Sequence, residues 1–340
     1  MKWKAMAMGA AVTTLGVTAS LTAPASAQAQ EEFPVLGHYR THPGETVWWD
    51  SVTAAEKEYG AFSGHLRNYH APGEEPLDGT TEEGKAERKA IQAGKKLHLS
   101  WRPYPKGGNW ADVKGEQSRN QLRDVMRRLK SACGDGCTDV WLSIVHEPEL
   151  DWRDPDNCGE VAPCEGFENA DYRRMWQEVF EAREDVGADK VKLVWIVQGF
   201  REHWDKKLYK PLWPGNDKVD IVGQDPYIAA TEQDKNALGD RMIAGARRFK
   251  SESDPQHDFA SKPHIFAEYG CDLGGEGARG DAEHRGNGID GVREALPEIV
   301  DIPNFTVIEM EFFDARSNWI SDNDNSPDNQ AYRDLKNATP

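Results

Sequence analysis

Two glutamates that each close a short apolar segment are the residues of this chain best suited to chemistry. Glu147 follows the run 140–146, and Glu268 follows the run 264–267. Short, β-branched apolar runs of this kind predict buried parallel strands. In a (β/α)₈ barrel the carboxyl ends of all the strands meet at one face, so residues distant in sequence come together there. Two carboxyl groups facing each other in such a place are the minimum apparatus for cleaving a glycosidic bond.

The elements that would position these glutamates are eight strand-like segments separated by helical patterns. Leu122, Val125, Met126 and Leu129, for example, follow the i, i+3, i+4, i+7 spacing of an amphipathic helix. Regular alternation of strand and helix predicts parallel βα units, and eight of them predict an α/β protein with a (β/α)₈ TIM-barrel fold. A doubly wound open sheet shows the same alternation, but the chain lacks its glycine-rich phosphate loop. The predicted strands are 34–39, 61–69, 96–104, 139–147, 191–198, 219–227, 263–268 and 305–313.

The amino-terminal segment has the features of a secretory signal peptide. Lys2 and Lys4 give it a charged start, an apolar stretch follows, and Ala25-Ser26-Ala27 matches a cleavage site. We therefore expect residues 1–27 to be removed and the protein to be secreted to the extracellular space. The rest, residues 31–340, has the length of a single (β/α)₈ catalytic domain.

The charge balance narrows the possible partners. The formal net charge is −17, which argues against nucleic acid and anionic membrane surfaces as ligands. No other segment is long and apolar enough to cross a bilayer. A neutral polysaccharide fits this composition, and we expect the protein to act as a monomer.

Five cysteines are consistent with an oxidising compartment. Proximity in sequence suggests the pairs Cys133–Cys137 and Cys158–Cys164, which would leave Cys271 free. The C-x₃-C spacing also invites a zinc site, but no histidine pair or second close cysteine pair supports one. We predict neither a metal nor a cofactor.

The two glutamates suit the roles of a retaining glycoside hydrolase. Glu147 would be the acid/base and Glu268 the nucleophile, with the carboxyl groups about 5–5.5 Å apart. Tyr227 could donate to Glu268 and keep it ionised, whereas an apolar wall such as Trp152 would favour a protonated Glu147. His146 could bind a sugar hydroxyl or hold Glu147 in place. The alternatives are that each glutamate is an ordinary surface residue and that His146 is a buried structural histidine.

Four segments resemble family 26 glycoside hydrolases. The segment from His146 to Trp152 resembles the acid/base segment of that family, and Glu268-Tyr269-Gly270 resembles its nucleophile segment on strand seven. Ser100-Trp101-Arg102-Pro103 is similar to the strand-three segment, and 223–227 to strand six, where a tyrosine contacts the nucleophile. The resemblance implies a retaining (β/α)₈ endo-β-glycanase, most often a β-mannanase. Pro148-Glu149-Leu150 departs from the Met-Asn-Gly that usually follows the acid.

Tryptophans in predicted loops suggest a carbohydrate cleft, because sugar rings stack on flat aromatic surfaces. Trp48, Trp101 and Trp319 are predicted sugar platforms, and His38 is expected to edge the same cleft. Trp141, Trp176 and Trp195 fall on strands and helices and are predicted to be core residues. Further tryptophans in predicted cleft loops are Trp49, Trp110, Trp152, Trp204 and Trp213.

Two alternatives stay open at this stage. The same mechanism could act on a β-glucan or a xylan, or the barrel could bind carbohydrate without cleaving it. A zincin protease is disfavoured because His-Glu-x-x-His is absent, and an α/β-hydrolase esterase because Gly-x-Ser-x-Gly is absent.

Overall fold

Parallel strands form a closed barrel with helices between them. The computed structural model describes residues 34–40, 48–134, 140–151, 165–229, 231–232, 234–272, 282–314, 320 and 325–339. Over these residues the strands pair in parallel in the order β6-β5-β4-β3-β2-β1-β9-β8, and a further β6–β8 pairing closes the ring. The predicted (β/α)₈ barrel is therefore confirmed. The strands are β1 (Val35–Arg40), β2 (Leu66–His70), β3 (Leu97–Trp101), β4 (Val140–Ile144), β5 (Val191–Gln198), β6 (Ile221–Asp225), β7 (Tyr227–Ala229), β8 (His264–Asp272) and β9 (Val307–Asp314).

All eight predicted strands are present, and one additional short strand was not predicted. β7 follows β6 after a single residue and pairs in parallel with Gly270, Cys271 and Asp272 at the carboxyl end of β8. This pairing extends the barrel wall beside the two strands that carry Tyr227 and Glu268.

The helices pack an apolar face against the barrel and end at recognisable signals. α2 begins after Thr81, whose hydroxyl accepts a hydrogen bond from Gly84 N at 3.1 Å. α5 ends at Gly187, which has a φ of 61° in the left-handed region. Among the described helices, none combines the length and apolar character that crossing a bilayer requires. The helices are α1 (Trp48–Tyr59), α2 (Glu82–Gln92), α3 (Gly115–Cys133), α4 (Pro148–Asp151), α5 (Asn169–Val186), α6 (Arg201–Asp205), α7 (Ala237–Glu252), α8 (Ala282–Val300) and α9 (Pro327–Ala338).

Two groups of apolar side chains make the core. The larger group lies between the strands and the helices, and it includes the predicted α3 residues Leu122, Val125, Met126 and Leu129, all buried. A smaller separate cluster comes from alternate positions on neighbouring strands, which share a face because side chains alternate along a strand. Its buried members are Trp141, Val194, Ile196, Ile221, Ile265 and Ala267.

Buried polar side chains from β3, β4, β9 and the residue before β2 pair with one another across the barrel. His65 Nδ1 lies 2.8 Å from Glu309 Oε2, and the His65 ring stacks on Trp141 with ring centroids 3.6 Å apart. His98 bridges Glu311 Oε1 and Ser143 Oγ, at 2.6 Å each. Buried polar groups need such partners because an unpaired one carries a desolvation penalty. This network lies under the carboxyl ends of the strands.

Candidate active site

The end of β4 turns sharply to place Glu147. Val145 and Glu147 both have left-handed backbones, with φ of 50° and 53°. Each such non-glycine residue costs about 1–3 kcal/mol and persists only where its surroundings hold it. Hydrogen bonds to the neighbouring strands β3 and β5 hold both residues in this conformation. Val145 N donates to Trp101 O at 2.9 Å, and Glu147 N donates to Ile196 O at 3.2 Å.

Glu268 lies within β8, where two tyrosine hydroxyls bind its two carboxylate oxygens. Tyr69 OH donates to Oε1 and Tyr227 OH donates to Oε2, both at 2.5 Å. The predicted contact between Tyr227 and Glu268 is present. Tyr69 comes from β2 and is a second donor of the same kind. Short O–H···O⁻ hydrogen bonds favour the ionised form of the carboxylate.

His146 brings the two glutamates together. Its Nε2 lies 3.0 Å from Glu268 Oε1, 3.0 Å from Asp225 Oδ2 and 3.5 Å from Glu147 Oε2. The sum of its distances to the two glutamate oxygens, 6.5 Å, is an upper limit on the separation of those oxygens. The carboxyl groups of Glu147 and Glu268 therefore face one another at close range.

The two glutamates have opposite pKa shifts. Burial opposes ionisation of Glu268, but the charges of His146 and Arg67 and the Tyr227 hydrogen bond outweigh it and lower the pKa of Glu268 to about 2. Burial raises the pKa of Glu147 well above its ordinary value, and the charges of Asp225 and Glu268 add to the shift. One carboxyl group is thus ionised and the other protonated, which is the condition for dividing nucleophile and acid roles between them.

The charge on His146 is held by its carboxylate neighbours. Burial disfavours the imidazolium, but Glu268, Glu147 and Asp225 together raise the pKa of His146 to about 10. Burial and the charge of Glu268 raise the pKa of Asp225 to about 6. His146 is therefore a fixed positive charge at neutral pH, and it neither gains nor loses a proton across the usual working range.

The buried side chain of Arg67 lies beside the Glu268 carboxylate and carries the opposite charge. The Arg67 side chain is completely buried, with Nη2 3.6 Å from Glu268 Oε1 and Nη1 3.2 Å from Glu311 Oε2. Nη2 also donates to Ser100 Oγ at 3.0 Å, and Nη1 donates to Ala267 O. These contacts fix the guanidinium so that its charge favours the ionised nucleophile candidate.

One cluster in the described part of the chain has the residue types of a metal site. His146, Asp225 and Glu268 each offer a ligand atom, and these atoms lie within 4.8 Å of one another. A neutral histidine with two carboxylates would suit a divalent transition metal. A protonated His146, however, already meets both carboxylates at 3.0 Å with the opposite charge. The three residues therefore already form an ion-pair network, although the Asp225 carboxylate oxygens accept no hydrogen bond of good geometry from the described residues.

Three residues that were predicted to contact sugar are buried in the protein interior, so these three predictions are wrong. Trp101 is 1% exposed and Trp48 is 5% exposed, which leaves no ring face for a sugar. Their indole N–H groups donate to Glu74 O at 2.9 Å and Arg67 O at 2.7 Å. His38 is completely buried and stacks on an aromatic ring of the outer core. The strand and helix packing that buries these rings is not visible in local sequence.

The other tryptophan predictions have different outcomes. Trp141, Trp176 and Trp195 are buried core residues, as predicted. Trp152 and Trp319 lie outside the described residues, so their predicted roles beside Glu147 and as a sugar platform stay predictions. The remaining tryptophans predicted to line a cleft are buried or partly buried, namely Trp49, Trp110, Trp204 and Trp213.

The disulfide predictions fall mainly on residues outside the described part of the chain. Cys137, Cys158 and Cys164 are among those residues, as is the signal segment 1–27. Over the described residues Cys271 is a buried free thiol, as expected, and burial raises its pKa to about 12. A thiol in that state is a poor nucleophile, so Cys271 packs as a small apolar residue.

Three residues of the site were not predicted as functional. Arg67 and Tyr69 are two positions apart on β2 and so share a face, which is a signal that the sequence carries. Asp225 ends β6, as Glu147 follows β4, and it lies in the segment 223–227 that resembles strand six of family 26. What no local pattern shows is that all three converge on Glu268 and His146.

Comparison with known proteins gives a structural likeness at low sequence identity. No protein-family profile matches the chain, and no curated protein matches it. The catalytic domain of the GH26 endo-β-1,4-mannanase of Bacillus sp. JAMB-750 is 15% identical, with a TM-score of 0.57 over 90% of this chain and 86% of that one. A GH26 β-mannanase from Bacteroides ovatus is 13% identical, with a TM-score of 0.55 over 89% and 88%.

A modular endo-β-1,4-mannanase from Cellulomonas fimi has a TM-score of 0.57 at 16% identity, over 91% of this chain and 71% of that one. Identities this low establish a shared fold and leave activity to be argued from the site. The likeness extends over most of the chain, so the whole barrel and not one βα unit is shared.

Proposed function

We propose that this protein is a retaining β-glycoside hydrolase with Glu147 as the acid/base and Glu268 as the nucleophile. The observation that carries the proposal is the facing pair itself, with its pKa values shifted in opposite directions around His146. The upper limit of 6.5 Å between facing oxygens fits direct attack better than the about 6.5–9.5 Å that an intervening water requires.

In the first step Glu268, ionised above about pH 2, attacks the anomeric carbon of the sugar. Glu147 gives its proton to the departing glycosidic oxygen, because a high pKa keeps that proton available near neutral pH. Tyr69, Tyr227 and Arg67 hold the attacking carboxylate in one orientation, which reduces the reorganisation that the reaction needs.

In the second step the same residues act with altered charge. Once Glu268 is esterified its negative charge is gone, and that charge is one of the causes that raise the pKa of Glu147. The pKa of Glu147 therefore falls in the intermediate, so Glu147 takes a proton from a water that attacks the anomeric carbon, and the bond from that carbon to Glu268 breaks to release the carboxylate. His146 keeps its positive charge throughout and compensates Asp225.

The substrate that we propose is a plant-type β-mannan or a related polysaccharide, cleaved outside the cell. Three lines support it: the resemblance of the two glutamate segments to family 26, the mannanase descriptions of the structures above, and the signal-like segment 1–27. The site chemistry suits any β-glycan, so a β-glucan or xylan is the second candidate. The departure at Pro148-Glu149-Leu150 keeps a carbohydrate-binding barrel without turnover as the alternative from another class.

The test is reducing-sugar release by the purified mature protein on β-mannan, glucomannan, β-glucan, xylan and chitosan. Wild type is expected to release sugar from one of them, and Glu268→Ala to lose at least about 10⁴-fold in rate, since the covalent step is gone. Glu82→Ala changes an exposed glutamate of α2 and serves as the matched control with unchanged rate.

Azide separates the two roles. It should restore turnover to Glu268→Ala with an activated aryl glycoside and give the product of inverted configuration. With Glu147→Ala it should instead give a glycosyl azide of retained configuration. Binding to a glycan without release of reducing ends, from a folded wild-type protein, would favour the non-catalytic barrel.

A further inference from the structure

The segment after Glu147 is anchored to the neighbouring strand by a side chain that the proposed mechanism does not use. Glu149 lies on α4, is 1% exposed, and accepts a hydrogen bond at Oε1 from Gln198 N at 2.5 Å. Gln198 is the last residue of β5. The carboxylate thus takes up a strand-end N–H at the face where the proposed acid lies.

This contact matters because α4 is too short to hold itself in place. It has four residues, and isolated helical turns of that length are unstable. Its link to the acid is direct, since Leu150 N donates to Glu147 O at 3.0 Å. The peptide that α4 follows is strained, with left-handed Val145 and Glu147. A strained peptide keeps its conformation only while its surroundings hold it.

Glu149 also has spare accepting capacity. Its Oε2 is buried and has no hydrogen-bond partner among the residues that the structure describes, and His203 Nδ1 lies 3.8 Å from Oε1. The negative charge of this carboxylate is one of the causes that raise the pKa of Glu147. Glu149 therefore lies both against β5 and beside the acid, at the position where the resemblance to family 26 implies an asparagine.

We propose that Glu149 is a positioning residue for the general acid: its bond to Gln198 N holds α4 against β5 and so fixes Glu147 for protonation of the leaving group. The inference rests on the proposed function for its catalytic consequence. Its structural part, the anchoring of α4 to β5, does not depend on activity.

The catalytic test compares two leaving groups. Glu149→Ala removes the anchor, and a misplaced acid is expected to lower kcat/KM on the preferred glycan by about 10²-fold. On a 2,4-dinitrophenyl β-glycoside, whose leaving group needs no proton, kcat/KM should stay within about threefold of wild type. Damage to the nucleophile or to the whole fold would lower both values together.

The conservative variant separates the anchor from the charge. The amide oxygen of Glu149→Gln can still accept from Gln198 N, so glycan kcat/KM at the optimum should stay within about threefold of wild type. The alkaline limb of its pH profile should move to lower pH, because Glu149 no longer raises the pKa of Glu147. The other charged groups facing Glu147 are His146, Asp225 and Glu268, and all three remain in this variant.

Glu74→Ala is the matched control. Glu74 Oε2 accepts from Ala71 N at 2.9 Å just after β2, which is the same kind of carboxylate–amide bond at another strand end. Its loss should leave both substrates within about threefold of wild type. Far-UV circular dichroism and thermal melting of each variant establish that it is folded before the rates are compared.

Amide hydrogen exchange tests the anchor without any activity. The backbone N–H of Gln198 should exchange at least about tenfold faster in Glu149→Ala than in wild type or Glu149→Gln. The Gly199 amide, which donates to Asp225 O at 3.1 Å, should be unchanged and serves as the internal reference. An unchanged Gln198 amide in Glu149→Ala, or equal losses on the two substrates, overturns the inference. Failure of wild type on every substrate would reject the proposed function, and the exchange result would still decide the role of Glu149.

Discussion

The positive charge of His146 should determine how far the pH profile of this protein extends into acid. His146 Nε2 lies 3.0 Å from Glu268 Oε1, and its charge is the largest effect that lowers the pKa of Glu268. At that distance and an effective dielectric constant of about 20, two unit charges interact by about 5 kcal/mol. That energy corresponds to about four pKa units. A rise of only half that size would already bring the pKa of Glu268 from about 2 to about 4 when the charge is removed.

His146→Gln keeps a polar side chain of similar reach and removes the charge. Glu268 is ionised above about pH 2 in the wild type, so the acid limb of kcat/KM should lie near or below pH 3. In the variant this limb should rise to about pH 4 or higher, because a carboxylate that loses its cation is protonated more easily.

The assay is kcat/KM between pH 3 and 9 on a dinitrophenyl glycoside, whose good leaving group keeps slow variants measurable. His257→Gln is the control, since His257 pairs with Asp254 at 2.9 Å before β8, at the opposite end of the barrel. An acid limb that stays below pH 3 in His146→Gln would refute the assignment of Glu268 ionisation to this charge.

Three further results are expected. Tyr227→Phe removes a hydrogen bond to a charged group, worth about 1.5–3 kcal/mol, so kcat/KM should fall about 10–100-fold and the acid limb should rise by 1–2 pH units, on the order of that energy. Burial lowers the pKa of His264 to about 3, whereas in the unfolded chain this histidine takes up a proton near pH 6.5. Acidification below pH 6.5 therefore favours the unfolded state and lowers the free energy of unfolding. His264→Phe removes this proton uptake and should raise the free energy of unfolding at pH 5, measured in urea, by about 2 kcal/mol. Prolonged EDTA treatment should leave activity unchanged, and a loss restored by a divalent metal would instead assign an ion to the His146 cluster.

The sequence allowed the fold to be predicted because its pattern is local. Alternating apolar strands and amphipathic helices specify parallel βα units, and the strand predicted at 191–198 has the same bounds as β5. The short strand β7 was not predicted because Tyr227–Ala229 is too short to show a period and forms by pairing with β8.

The glutamate pair was predictable for the same reason, since each residue follows an apolar run on a strand whose end has a known place in a barrel. The aromatic residues were not. Trp48 lies in a predicted loop and Trp101 near the end of the predicted strand 96–104, and both were expected to face the cleft, but tertiary packing buries both. Whether a large ring meets solvent or core depends on neighbours that are distant in sequence, and periodicity carries no information about them.

The supporting groups show a further limit. Arg67 binds Glu268 and Glu311 across the barrel, over about 200 residues of chain or more. Charges inside a strand that reads as buried indicate that partners exist, because an unpaired buried charge is very unfavourable. They do not indicate which residues those partners are. The strained backbone at Val145 and Glu147 likewise has no sequence signal.

Covalent trapping tests most directly whether Glu268 is the nucleophile of a retaining glycoside hydrolase. Wild-type protein is incubated with 2-deoxy-2-fluoro glycosyl fluorides of the β-manno and β-gluco series, and the intact mass and the labelled peptide are determined. We expect one added fluorosugar, attached to Glu268 and absent from Glu268→Ala. A label on another carboxylate, or turnover of natural substrate to the inverted anomer, would contradict it.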